Sequence, residues 1–114
     1  MNIKIPLKPI SINEAWQGRR FKTELHKQFC KDFYLIAPKK EMIKGIIQIE
    51  FKFYMKNHKI ADYDNVIKVT QDMLVKCGYI EDDRKIYKAI IYKIPSEENK
   101  IEIEIKKYKL KIKK

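Results

Sequence analysis

Four aspartates and one lysine carry the chemistry that this sequence offers. Asp62 and Asp64 stand in "DYD", Lys68 follows one helical turn after Asp64, and Asp82 and Asp83 stand in "EDD" beyond a helix-length spacer. Carboxylates about 4 Å apart repel by roughly 4 kcal/mol at an effective dielectric of about 20, so a fold that gathers them needs compensation. A divalent cation supplies it, and an oxygen-only donor set suits Mg²⁺ or Mn²⁺. The plain reading stands beside this one. Asp64 then caps a helix, Asp62 is solvated, and Lys68 makes a surface pair worth about 0.3–0.5 kcal/mol. An EF-hand does not fit: counted from Asp62, the sixth position is Ile67 rather than Gly and the twelfth is Met73 rather than Glu. Neither a P-loop nor a dinucleotide-binding glycine motif is present.

These residues need elements to place them. Val66, Val69, Thr70, Met73, Leu74 and Cys77 follow the i, i+3, i+4 ladder of an amphipathic helix, with Asp64 placed as its N-cap and Gly78 as its terminator. Such a helix is about 18 Å long. Gly78 lets the chain reverse, and Tyr79 and Ile80 anchor the return, which gives Asp83 a route to Asp62 and Asp64 across a strand–helix–strand unit. The strand before the helix is the clearest in the chain. In "GIIQIEFKFYMK", Ile47, Ile49, Phe51, Phe53 and Met55 face one way and Gln48, Glu50, Lys52 and Lys56 the other.

Elsewhere, "NIKIP" reads as a short strand and "LKPISINEAWQGRRF" as irregular. Leu25, Phe29, Phe33 and Ile36 mark a helix that Thr23 caps and Pro38 ends. "IYKAIIYKI" and "IEIEI", separated by "PSEENK", read as a hairpin. After Ile105 the apolar phase slips to Tyr108, Leu110 and Ile112, which calls for a bulge near Lys106 and Lys107 or an exit from the sheet. The expectation is one α+β domain over residues 1–114. Its order is roughly β-α-β-α-β-β, with a mixed or antiparallel sheet flanked by two main helices.

Composition narrows the partners. Lys and Arg number 26 against 15 acids, only three of them Arg, and the pI is about 9.6. That excess favours a polyanion, nucleic acid before an anionic membrane, although a Lys- and Ile-rich chain also reflects biased codon supply. Cys30 and Cys77 read as buried free thiols, and His26 and His58 lack the neighbours of a zinc site. The sequence contains no membrane-length apolar run, and its start lacks a signal-peptide core, so a cytoplasmic protein is expected. Basic residues that hold phosphates, and acids that hold a metal, together describe a metal-dependent nuclease.

"DYDNVIK", a helix of about a dozen residues holding Asp72 and Leu74, and "GYIEDDRKI" resemble the RusA family of Holliday-junction resolvases. Its pattern is D-x-D-N-x-x-K, then D-x-L, then G-x-[apolar]-x-D-D-x-x-[apolar]. The opening "PLKPISINEAW" is similar to the family's P-x-S-x-N-x-x-aromatic start through Ser11, Asn13 and Trp16, so the resemblance runs from Pro6 to about Ile105.

It implies catalytic, metal-binding aspartates at Asp62, Asp64 and Asp83 and a catalytic lysine at Lys68. It further implies a homodimer that nicks opposing strands of a four-way DNA junction with Mg²⁺ or Mn²⁺ in recombination and repair, and many members are carried by prophages. Asn13, Asn65 and Asp82 are candidates to support the site, although Asn65 also suits a helix's first turn and Asp82 a solvated acid. Arg19, Arg20, Lys22 and Lys27 are candidates for DNA backbone contact, against a solvated face. Where some relatives carry an arginine cluster, "KNHKIADYD" offers Lys56, His58 and Lys59, point charges without a planar fork. The rivals are a non-catalytic nucleic-acid-binding module, which leaves the acid spacing to coincidence, and a phosphatase of small substrates, which gives the positive charge no task.

Overall fold

A computed structural model of the protein describes residues 1–10, 16–17, 21–22, 24–56 and 63–110, with the backbone alone at 16, 17, 21, 22 and 63–66. The elements are β1 (Asn2–Ile5), β2 (Trp16–Gln17), β3 (Phe21–Lys22), α1 (Glu24–Ile36), β4 (Ile47–Met55), α2 (Tyr63–Lys76), a 3₁₀ turn η1 (Asp83–Lys85), β5 (Ile86–Pro95) and β6 (Lys100–Lys107). The main sheet has the order β1-β6-β4-β5. β4 runs parallel to β5 and antiparallel to β6, and β6 antiparallel to β1. This is the expected α+β domain with a mixed sheet. Where the sequence reads as irregular, β2 and β3 form a two-stranded ribbon, Trp16 opposite Lys22 and Gln17 opposite Phe21. Among the described residues no helix is long and apolar enough to cross a membrane.

Alternation decides which face of the sheet is covered. Every odd residue of β4 from Ile47 to Met55 is buried, as are Ile101, Ile103 and Ile105 of β6 and Ile3 and Ile5 of β1. Register stacks them side by side, Phe51 against Ile103 and Ile103 against Ile3. Phe29 and Phe33 of α1 and Val69, Met73 and Leu74 of α2 close over this face and complete the core. The α1 stripe is narrower than its sequence suggests. Leu25 is 51% and Ile36 43% exposed, while His26 is buried beside Cys30. Cys30 and Cys77 are half-buried rather than fully buried, and burial, then the neighbouring Cys30, pushes the Cys77 thiol upward.

The expected hairpin does not form. β6 lies between β1 and β4, and β5 lies on the far side of β4 at the edge. β6 keeps its isoleucines on one face, so it is buried usefully with a neighbour on each side. β5 carries apolar residues on both faces and takes the edge beside β4. The link between them runs over the end of β4, where Ser96 N–H donates to the Met55 carbonyl (3.1 Å) and Lys56 N–H to Asn99 Oδ1 (2.9 Å). At the phase slip the chain leaves the sheet: β6 ends at Lys107, and Tyr108 packs its ring on Tyr87, centroids 5.9 Å apart.

Gly78 ends α2 as expected. Its φ is +77°, its N–H donates to the Val75 carbonyl (3.0 Å), and Tyr79 N–H donates to that of Leu74 (3.0 Å). A Cβ here would touch nothing within 4 Å, so only backbone strain opposes substitution. Gly78→Ala is therefore expected to cost about 1 kcal/mol in urea unfolding, with no change in the m-value.

Candidate active site

α2 and the returning chain set the positions of the acids. The helix starts at Tyr63, so Asp64 stands in its first turn rather than at its cap. Carboxylates near a helix N-terminus are favoured by the unsatisfied backbone N–H groups there. Lys68 is exposed on the next turn, and Asn65 lies between them in the sequence. Asp62, Asn13, Arg19, Arg20 and Lys59 fall outside the described residues, and Lys22 is placed by its backbone in β3. Lys27 is exposed on α1, 3.3 Å from Glu24.

Asp83 opens η1, immediately before β5. The start of β5 is tied to the start of β4 by several contacts. Ile86 sits opposite Ile47, Ile43 bridges Ile80, and Gly45 N–H donates to Glu81 Oε1 at 2.5 Å. Tyr79 and Ile80 anchor this return as expected, both at 1% exposure or less, with the Tyr79 hydroxyl donating to the Pro38 carbonyl. The strand–helix–strand unit is therefore formed, and it has a definite consequence for the acids. Asp64 stands at the end of α2 reached from the C-terminal end of β4. Asp83 stands by the N-terminal ends of β4 and β5. About 18 Å of helix rise lies between Asp64 and Lys76. Among the described residues no three His, Cys, Asp or Glu side chains are grouped to hold a metal ion.

Asp82 has a clear local task. Its carboxylate caps η1 by accepting from the Arg84 N–H (2.9 Å) and grips the Arg84 guanidinium through Nη2 (2.9 Å) and Nε (3.3 Å). The Arg84 side chain, then its backbone N–H, then Asp83 hold the Asp82 carboxyl well below the usual carboxylate range. Arg84 is a partner that the acid spacing alone does not point to; its signal in the sequence is the D-x-R spacing of a capped turn. A depressed carboxyl keeps its interactions above the unfolded value and loses them only as pH falls through the folded one. The Arg84 amide resonance is thus expected to hold its shift through pH 4 and move only in stronger acid. Arg84→Gln should bring the midpoint up toward the ordinary value of about 3.9.

The open face of the sheet differs in character. It interleaves Lys4, Lys52 and Lys106 with Glu50, Glu102 and Glu104. Glu50 lies directly opposite Glu104, an unfavourable pairing that Lys106 offsets from 2.8 Å, lowering the Glu104 carboxyl. Lys100 lies 4.5 Å from the Tyr54 ring centre, and a hydrogen bond to Glu102 raises the Tyr54 hydroxyl. Three glutamates make this face a poor seat for phosphates.

Fold and site together define a small, strongly basic α+β domain whose acids stand at the two ends of one crossover helix. The family model described as endodeoxyribonuclease RusA matches residues 12–106, and the chain belongs to that family. Membership places it among endodeoxyribonucleases; the match ends where the expected span does, near Ile105, but begins after Pro6 and Ser11 of the opening motif. A search of curated proteins finds no match.

Proposed function

We propose that the protein is a metal-dependent, homodimeric resolvase that binds four-way DNA junctions and cuts them by paired symmetric nicks, in recombination and repair. The observation that carries this reading is the family match, which spans both acid knots. The charge of +11 supports a DNA substrate, since it supplies the phosphate contacts that junction binding needs. Asp62, Asp64 and Asp83 are assigned to the metal, Mg²⁺ or Mn²⁺, and their all-oxygen donor chemistry fits such an ion. A bound ion of this kind stabilises charge on the scissile phosphate and eases deprotonation of water.

Within one protomer Asp64 and Asp83 stand at opposite ends of α2. A shell that holds all three aspartates therefore takes Asp62 and Asp64 from one copy and Asp83 from the other. The dimer then has two such shells, one for each strand to be cut. Lys68, one turn from Asp64, is assigned to the phosphate. Its ammonium adds positive charge where the helix N-terminus already favours an anion. Asp82 positions η1, and with it Asp83, through its grip on Arg84. Arg19, Arg20, Lys22, Lys27 and Lys59 are assigned to backbone contact, with Asn13 and Asn65 supporting the site.

The reading expects a synthetic four-way junction to be cut with Mg²⁺ and left whole with EDTA, while a linear duplex of the same sequence survives both. Junction binding with no cut under either Mg²⁺ or Mn²⁺ would instead leave a structure-specific binding protein.

A further inference from the structure

β5 is the one long edge of the sheet. The other edge, β1, has four residues, while β5 has ten, and among the described residues no strand pairs with its outer side. Tyr87 (56%), Ile90 (38%) and Tyr92 (44%) are exposed along it. A long edge with exposed apolar side chains invites another strand, and lysines are the usual guard against one. Here the guards are Lys88 and Lys93, and their spacing decides what they exclude.

Two copies of one strand related by a two-fold axis pair antiparallel. Opposite residues are then both hydrogen-bonded or both not. From Lys88 onward, past the irregularity at Tyr87, the outward-bonding residues all share a parity, so the two position numbers of each pair sum to an even value. Lys88 and Lys93 sum to an odd one and never face each other. Two even registers span the strand about equally, and side chains decide between them: the one centred on Ile91 sets Lys88 opposite Ile94 and Lys93 opposite Ala89, whereas the one centred on Ile90 sets Lys88 opposite Tyr92, Ala89 opposite Ile91 and Ile90 opposite itself, with Tyr87 beside Lys93 at the irregular end. In the latter, every lysine meets a tyrosine ring and every aliphatic side chain meets another. Both contacts favour the pairing.

The geometry points to β5 as the surface on which two copies of this chain join, antiparallel and with Ile90 on the two-fold axis, making one eight-stranded sheet. The inference rests on the dimer proposed above and names its interface. The axis runs perpendicular to the sheet, so the helices of both copies lie on the same side. The two Ile86 residues fall about 26 Å apart along the strands. The N-terminal end of each β5 lies beside the C-terminal end of its partner's. This brings η1 of one copy to the end of the sheet from which α2 of the other sets out, as a shared set of aspartates requires.

Sedimentation equilibrium of the full chain tests this without reference to cleavage. Wild type is expected at twice 13.8 kDa. Ile90→Lys, which sets two like charges face to face on the axis, is expected to weaken association on the order of 100-fold. Ile90 is an exposed position of the monomer, and an unchanged circular dichroism spectrum would show the fold intact. Mild oxidation provides a second readout. Ile90→Cys is expected to crosslink to its own copy, because opposite residues lie within disulfide reach, while Tyr92→Cys, four residues from its own copy, is not. A monomeric wild type would overturn both the interface and the dimer. A dimer that survives Ile90→Lys, or crosslinks equally at both positions, would overturn the interface and leave the dimer standing.

Discussion

Asp64→Asn is expected to lower junction cleavage on the order of 10³-fold while leaving junction binding intact or tighter. The change keeps the size of the side chain and removes one negative charge and one ligand oxygen from the head of α2. The fold changes little, since Asn is itself a favoured residue at a helix N-terminus. Binding, measured by gel shift with EDTA present, depends on the basic residues and gains from the loss of a repelling carboxylate.

The split of the acids between the ends of α2 adds a sharper expectation. Asp83→Asn alone is also expected to be inactive. Co-expression of Asp64→Asn with Asp83→Asn should restore single nicks, because the mixed dimer keeps one shell with Asp64 from one copy and Asp83 from the other. If all the aspartates of a shell came from one protomer, the mixture would stay inactive.

Phe51→Ala is expected to be the most destabilising single truncation in the sheet, at about 3–5 kcal/mol. Phe51 lies at the middle of β4, the one strand with a described neighbour on each side along almost its full length. Its ring is fully buried and stacks on that of Phe53, centroids 5.7 Å apart and planes 7° from parallel. The alanine would leave a cavity under both helices that backbone ladders on both sides prevent from collapsing. Domains of this size have about 5–15 kcal/mol in total, so the loss is a large share. A fall in Tm of about 10–20 °C by calorimetry checks it.

Much of this was legible in the sequence because burial is one-sided. β4, β6 and α2 each set their apolar residues on a single face at a single period, and those faces became the core. The terminator Gly78 and the anchors Tyr79 and Ile80 were readable for the same local reasons. Strand order was not. "PSEENK" has the chemistry of a tight turn, yet it carries the chain across the end of β4, because the place of β5 is decided by what pairs with β4 and not by the turn itself. Leu25 and Ile36 fit the α1 stripe by spacing, but the helix is covered only along the line of His26, Phe29 and Phe33. The spacing of the acids showed their kinds and their order along the chain. It did not show that a parallel crossover separates them, since that follows from β5 running alongside β4 in the same direction.

Strand mapping shows whether the protein resolves a junction by paired nicks. A synthetic four-way junction is labelled on each of its four strands in turn and incubated with the protein and Mg²⁺. Nicks are expected at symmetric positions on one opposing pair of strands, and none with EDTA. Cleavage spread over all four strands, or a junction that is bound and never cut, would contradict paired resolution.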